Sequence, residues 1–191
     1  MNKTHAKVTA WGLTHVPIRA NDTILDVGCG GGKTIERLAA IATGGKVYGV
    51  DFSEESVAVS KKTNRASVSA GRVEVHHASV SQLPFPGAMF DVVTAVETHY
   101  YWPDLVADLR EILRVLKPGG TLAIIAEAYK GGKHDAVLQR LETLQRRGIM
   151  NYAHLTVAEH RDALAKAGFA DVEVFENYDK GWICATGRNP A

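Results

Sequence analysis

The chain has 191 residues, 46% of them hydrophobic and 23% charged, which suits one globular domain with a substantial core. A formal net charge of +1 gives no general pull toward nucleic acid or an anionic membrane. No apolar run is long enough to cross a bilayer, and Met1–His5 lacks an apolar signal core. The two cysteines, Cys29 and Cys184, have no metal-ligand spacing, so the expected setting is cytoplasmic, with no metal.

In chain order, His5–Val16 (His5, Val8, Trp11, Leu13, His15) reads as a short amphipathic helix. Strands are predicted at Thr23–Val27, Lys46–Val50, Arg72–His76, Phe90–Val96 and Thr121–Ala126, with helices at Thr34–Ala42, Glu54–Ser67 and Pro103–Leu116 between them. Leu105, Leu109, Ile112, Leu113 and Leu116 recur at helical spacing, Pro103 begins that helix, and Lys117-Pro118-Gly119-Gly120 ends it. Asp91–Val96 is apolar without alternation, as expected of a strand covered on both faces. The alternation predicts an α/β, doubly wound parallel sheet. A helix at Val157–Ala167 stops at Gly168, and Val172–Glu176 and Trp182–Thr186 follow. The short turn region Asn177–Gly181 leaves no room for a crossover helix, so these last strands are predicted to be antiparallel.

The segment Ile24–Gly32, followed by Lys33-Thr34, carries the strongest chemical signal. An apolar strand ends in a carboxylate, breaks into glycines, and restarts as a helix whose first N–H groups are unpaired. A dinucleotide fingerprint G-x-G-x-x-G fails at Lys33, and a phosphate loop G-x-x-x-x-G-K-[ST] fails at Val27, although Gly32-Lys33-Thr34 completes its end. The pattern acid-x-G-x-G-x-G is filled by Asp26, Gly28, Gly30 and Gly32. Asp26 disfavours a pyrophosphate and favours a cationic ligand. S-adenosylmethionine, with an ammonium group, a sulfonium centre and no phosphate, fits that charge. Asp51 closes the next strand roughly two dozen residues later, where a carboxylate reaches ribose hydroxyls. Phe52 is placed to cover adenine, while Ser53 caps the following helix and Glu54 and Glu55 complement its dipole.

With these pieces in order, the chain from about Thr23 onward resembles the class I S-adenosylmethionine-dependent methyltransferases of the small bacterial type 11 style. The matching segments are Ile24–Gly32, Val47–Phe52, Ser81–Pro86, Phe90–Val93 and Leu113–Gly120. The resemblance implies a Rossmann-like sheet of seven strands, mostly parallel, with an antiparallel C-terminal hairpin. It implies S-adenosyl-L-methionine as cofactor, S-adenosyl-L-homocysteine as product, and a methyl group transferred by in-line displacement. It also implies cofactor contacts from Asp26, Gly28, Cys29, Gly30, Gly32, Asp51, Phe52, Ser79, Val80 and Val96. Ser79 departs from the family, which commonly holds an Asp there for the adenine amino group. A hydroxyl accepts that bond more weakly.

Beyond the fourth strand, Glu97-Thr98-His99-Tyr100-Tyr101-Trp102 is the densest aromatic and ionisable cluster. Glu97, His99 and Tyr100 are the candidate catalytic residues: Glu97 is expected near the methionine end of the cofactor, His99 is a candidate general base, and Tyr100 is expected to shape the acceptor pocket. Tyr101 and Trp102 either shape an acceptor pocket or pack the next helix. Residues 1–22 are expected to form a helical lid on the domain at 23–191. Gly131-Gly132 is a candidate hinge for a helix at His134–Arg147, and Cys29 is expected to pack rather than react. The acceptor is expected to be a small molecule, since no basic stripe or nucleobase-type Asn/Asp-Pro-Pro-aromatic motif is present. Nucleic acid and membrane partners are not expected, and the protein is read as a monomer or homodimer. Open alternatives are a cofactor-binding protein without turnover and a phosphate-loop enzyme.

Overall fold

The computed structural model describes residues 5–139 and 154–190. Its elements are α1 (Ala6–Leu13), β1 (Thr23–Val27), α2 (Lys33–Ile41), β2 (Lys46–Asp51), α3 (Glu54–Thr63), α4 (Arg65–Ser69), β3 (Val73–His77) and β4 (Phe90–Val96). A 3-10 turn at His99–Tyr101 follows, then α5 (Leu105–Val115), β5 (Leu116–Ala126), α6 (Val157–Ala167), β6 (Ala170–Asn177) and β7 (Trp182–Arg188). The sheet has seven strands in the order β3-β2-β1-β4-β5-β7-β6. β1 to β5 pair in parallel, and β7 pairs antiparallel with both β5 and β6. The predicted fold class and the antiparallel ending are both present.

Alternate residues of each central strand feed opposite cores. Leu25, Val93 and Ala95 pack with Leu109 and Ile112 of α5 and Leu164 of α6. Ile24, Val92 and Ile125 pack with Val8 of α1 and Ile35 and Leu38 of α2. Helix α1 is therefore part of a covering layer. Gly12 lies so close to β5 that an added Cβ would sit 2.6 Å from Ile125 Cδ1. The strand order reverses direction between β1 and β4, and the carboxyl ends of β2, β1, β4 and β5 open onto one crevice.

Three expectations change. The helix expected over 54–67 breaks at Asn64, whose side-chain amide donates to Gly32 O and Ser60 O, both at 3.0 Å, and so ties the break to the glycine turn. Pro103 stands outside its helix: Asp104 is the N-cap, its Oδ1 accepting from Ala107 N–H at 3.1 Å. Lys117–Gly120 belongs to β5, held there because Lys117 Nζ lies 2.8 Å from both Asp91 oxygens and the pairing with β4 shifts register. α6 ends at Gly168 as expected, after a capping box of Thr156 and Glu159. The expected helix at His134–Arg147 lies within the described residues only up to residue 139.

Candidate active site

The crevice holds a cavity of about 1300 Å³, larger than one drug-sized ligand requires. Its floor is the turn after β1. Gly28 and Cys29 donate backbone N–H groups to Val50 O at 2.8 and 3.0 Å, pinning the turn to β2. Gly28 has φ +70°, and a Cβ there would meet Thr98 Oγ1 at 2.2 Å. Gly30 has φ +50° with nothing within 4 Å of its missing Cβ, so bare backbone faces the cavity.

Asp51 crosses from β2 to that turn. Its Oδ2 accepts from Gly30 N–H at 2.8 Å and its Oδ1 from Ser53 N–H at 2.9 Å, while each oxygen retains a further lone pair. The same contact bears on the phosphate-loop alternative. The Gly30 N–H that a phosphate would need is given to a carboxylate, and Lys33 Nζ pairs with Glu36 Oε2 at 2.7 Å. Phe52 stands 79% exposed at the rim, and Ser53 caps α3 by accepting from Ser56 N–H at 3.2 Å. Ser79 and Val80 line the wall beyond Asp51, and Ser79 Oγ accepts from Ser81 N–H at 3.2 Å. Val96 and Cys29 also line the cavity. Burial pushes the Cys29 thiol far above its usual range, consistent with packing.

Two expected contacts fall beneath the floor. Asp26 is 1% exposed and absent from the cavity wall. Its Oδ1 accepts from Thr94 Oγ1 at 2.7 Å, and burial pushes its carboxyl up to about 7, helped by the like charge of Asp51. Gly32 (φ +80°) begins α2 and abuts Ser60 and Asn64, where a Cβ would sit 2.5 Å from each side chain. Both support the turn from below because the chain folds over them.

Glu97, after β4, has φ +56°, a conformation that costs a non-glycine residue energy. Its backbone N–H donates to Ile125 O at 2.9 Å. Tyr100 OH donates to its Oε2 at 2.6 Å, and Glu127 N–H donates to its Oε1. Burial raises the Glu97 carboxyl, and burial beside Glu97 raises the Tyr100 phenol, which therefore acts here as a donor. Tyr100, Tyr101 and Trp102 line the cavity.

His99 does not. Three residues per turn in the 3-10 segment send neighbouring side chains in different directions, and His99 points at α6. It is 3% exposed, with Nε2 3.2 Å from His160 Nε2. His160 Nδ1 is 2.8 Å from Thr156 O and must donate to it, so His99 Nε2–H donates to His160. Burial, reinforced by His160 and His154, holds His99 well below its usual range and neutral. The structure removes it from the general-base role.

Sequence reasoning did not place His5 and Glu127 in this site. Glu127 follows β5 as Glu97 follows β4 and Asp51 ends β2, and an acid at the end of three parallel strands was the available signal. His5, Ala6 and Thr9 bring the start of α1 to the cavity, and Arg37 of α2 anchors it by donating to Ala6 O at 2.6 Å. A ring nitrogen of His5 and one carboxylate oxygen each of Glu97 and Glu127 lie within 4.8 Å of one another. A second cavity of about 520 Å³ adjoins across Tyr100 and Tyr101, lined also by Glu127, His154 and Trp182.

The fold, the glycine turn and the acid at its flank define a methyltransferase domain. Residues 25–124 match the family described as "Methyltransferase domain", and the chain belongs to that family, within the class I S-adenosylmethionine-dependent methyltransferases. Its members use S-adenosylmethionine as methyl donor. The chain is similar to 27-O-demethylrifamycin SV methyltransferase of Amycolatopsis mediterranei (strain S699), 40% identical over 110 residues covering 57% of this chain and 40% of that protein. It is similar to the uncharacterized methyltransferase YdaC of Bacillus subtilis (strain 168), 26% identical over 95% of this chain and 91% of that one. Several curated relatives are thus spanned over less than half of their own length. Among solved structures, a methyltransferase in complex with the Haloferax volcanii Trm112 methyltransferase activator superposes with a TM-score of 0.81 at 25% identity. That match covers 100% of this chain and 94% of that one.

Proposed function

We propose that this protein transfers the methyl group of S-adenosylmethionine to a small-molecule acceptor by in-line displacement. The cofactor, when bound, supplies an electrophilic methyl on a sulfonium. This chain's residues orient it, with ribose hydroxyls on Asp51, adenine between Phe52 and Ser79–Val80, the methionine portion toward Glu97, and the acceptor beyond Tyr100. Holding nucleophile, methyl and sulfur in line is worth up to about 7–11 kcal/mol in favourable cases, so an elaborate catalytic apparatus is not required.

The observation that carries this reading is the Asp51 carboxylate bridging the end of β2 to Gly30 on the cavity floor. Support for a small acceptor comes from the aromatic wall and from the name of the rifamycin relative. We assign residues 1–22 as a segment that closes over the cofactor, the rest as one catalytic domain, and the protein as a cytoplasmic monomer or homodimer. Thermal-shift titration tests the assignment. S-adenosylmethionine and S-adenosylhomocysteine are expected to raise Tm and ATP to leave it unchanged. Stabilisation by ATP alone would restore the phosphate-loop reading.

A further inference from the structure

We propose that His5, oriented by Glu127, is the general base of this site, and that the acceptor is a planar aromatic hydroxyl compound. The proposal rests on the methyltransferase reading above. Carboxylates close β2, β4 and β5, and neighbouring strands in that half of the sheet lie about 4.8 Å apart. A nucleoside held at Asp51 and running across β1 to Glu97 leaves the ends of β4 and β5 as the place where an acceptor meets the methyl group. His5 stands over that place. Its Nδ1 lies 3.1 Å from Glu127 Oε2 and 4.0 Å from Glu97 Oε2, close to both carboxylates without the alignment of a hydrogen bond.

His5 is the one imidazole lining the larger cavity among the described residues, and its Nε2 makes no hydrogen bond there. The backbone holding it is fixed: Thr9 N–H and Oγ1 donate to His5 O at 3.0 and 2.7 Å, and Arg37 pins the next residue. The other bases are spent. Tyr100 donates to Glu97, and His99 is buried against His160. A carboxylate beside Nδ1 favours the Nδ1–H tautomer and leaves Nε2 as proton acceptor. Tyr101 and Trp102 add aromatic surface to the same wall, while Tyr100 stacks on His154 behind it, so the wall suits a flat ring.

The step balances. The acceptor oxygen forms a bond to the methyl carbon, the carbon–sulfur bond breaks with its electron pair going to sulfur, and the hydroxyl proton moves to His5 Nε2. The products are a methyl ether, S-adenosylhomocysteine and an imidazolium that returns its proton to water.

The first test needs no turnover. 4-Nitrophenol is added, at a pH where it is mainly neutral, to the full chain saturated with S-adenosylhomocysteine. Wild type is expected to raise the phenolate absorbance, His5→Gln to abolish the rise, and Glu127→Gln to reduce it severalfold, while all three still show an S-adenosylhomocysteine-induced Tm shift. The second test uses trideuteromethyl-labelled cofactor with matched phenols and anilines. Label is expected on oxygen, with His5→Gly losing at least tenfold and regaining rate with added imidazole, which a merely structural role would not allow. Wild type giving no more phenolate than His5→Gln, label on nitrogen, or absence of labelled ether overturns the proposal. Product binding that persists in those cases leaves the methyltransferase reading standing; its loss in wild type would remove both.

Discussion

The two ends of the cavity are built differently. At the β1–β2 end, the cavity surface is backbone: Gly28, Cys29 and Gly30 are locked by hydrogen bonds to Val50 and Asp51, and Asp26 and Asn64 brace the turn from below. At the β4–β5 end, the surface is side chain: Glu97, Tyr100, Glu127 and His5 meet from separate elements, with Glu97 at a positive φ. A backbone floor suits a ligand that never changes. Side chains gathered from several loops can be exchanged singly, so this end can vary while the backbone floor stays fixed.

The largest expected effect sharpens the distinction between bracing and binding. Asp26, held at about 7 by burial, keeps its proton in the folded state over a range where the unfolded chain, at 3.8, has lost it. Its contribution to stability is thus fully present below pH 3.8, falls as pH rises to about 7, and is flat above. Asp26→Asn removes that dependence. Relative to wild type, its stability should improve between pH 4 and 7.5 by up to about 4 kcal/mol, read from paired denaturant titrations. A pH-independent difference would place an ionised carboxylate there.

Asp51→Ala removes a carboxylate acceptor from the cavity lining itself. Calorimetry should show S-adenosylhomocysteine affinity falling about 100-fold, the equivalent of one or two charge-assisted hydrogen bonds. Glu97→Gln tests the other end: about a tenfold loss for S-adenosylhomocysteine and none for adenosine, which lacks the methionine portion. Equal losses for both would erase the difference between the ends. The smallest effect belongs to Ser79→Asp, where a carboxylate is about twice as strong an acceptor and should tighten cofactor binding about threefold.

The two ends were also unequally legible in the amino-acid sequence. Gly28, Gly30 and Asp51 could be found because a turn needing bare backbone and positive φ writes itself as consecutive glycines, and a strand ends visibly in its acid. Asp26 was found but misplaced: pattern gives the residue, while only packing beneath the turn shows its side chain facing Thr94. His99 failed because one 3-10 turn decides which of three adjacent side chains meets the cavity. His5 and Glu127 lie 122 positions apart in the numbering and meet only because α1 packs on β5, a juxtaposition that no local period encodes. The antiparallel ending was accessible because the short turn region Asn177–Gly181 leaves no room for a crossover helix.

The most direct measurement is a crystal structure of the complex with S-adenosylhomocysteine. Ribose hydroxyls are expected on Asp51, the homocysteine portion running over Gly30 toward Glu97, and Asp26 still turned to Thr94. A nucleoside lying in the opposite sense, or no ligand density between Asp51 and Glu97 despite saturating ligand, would contradict this arrangement.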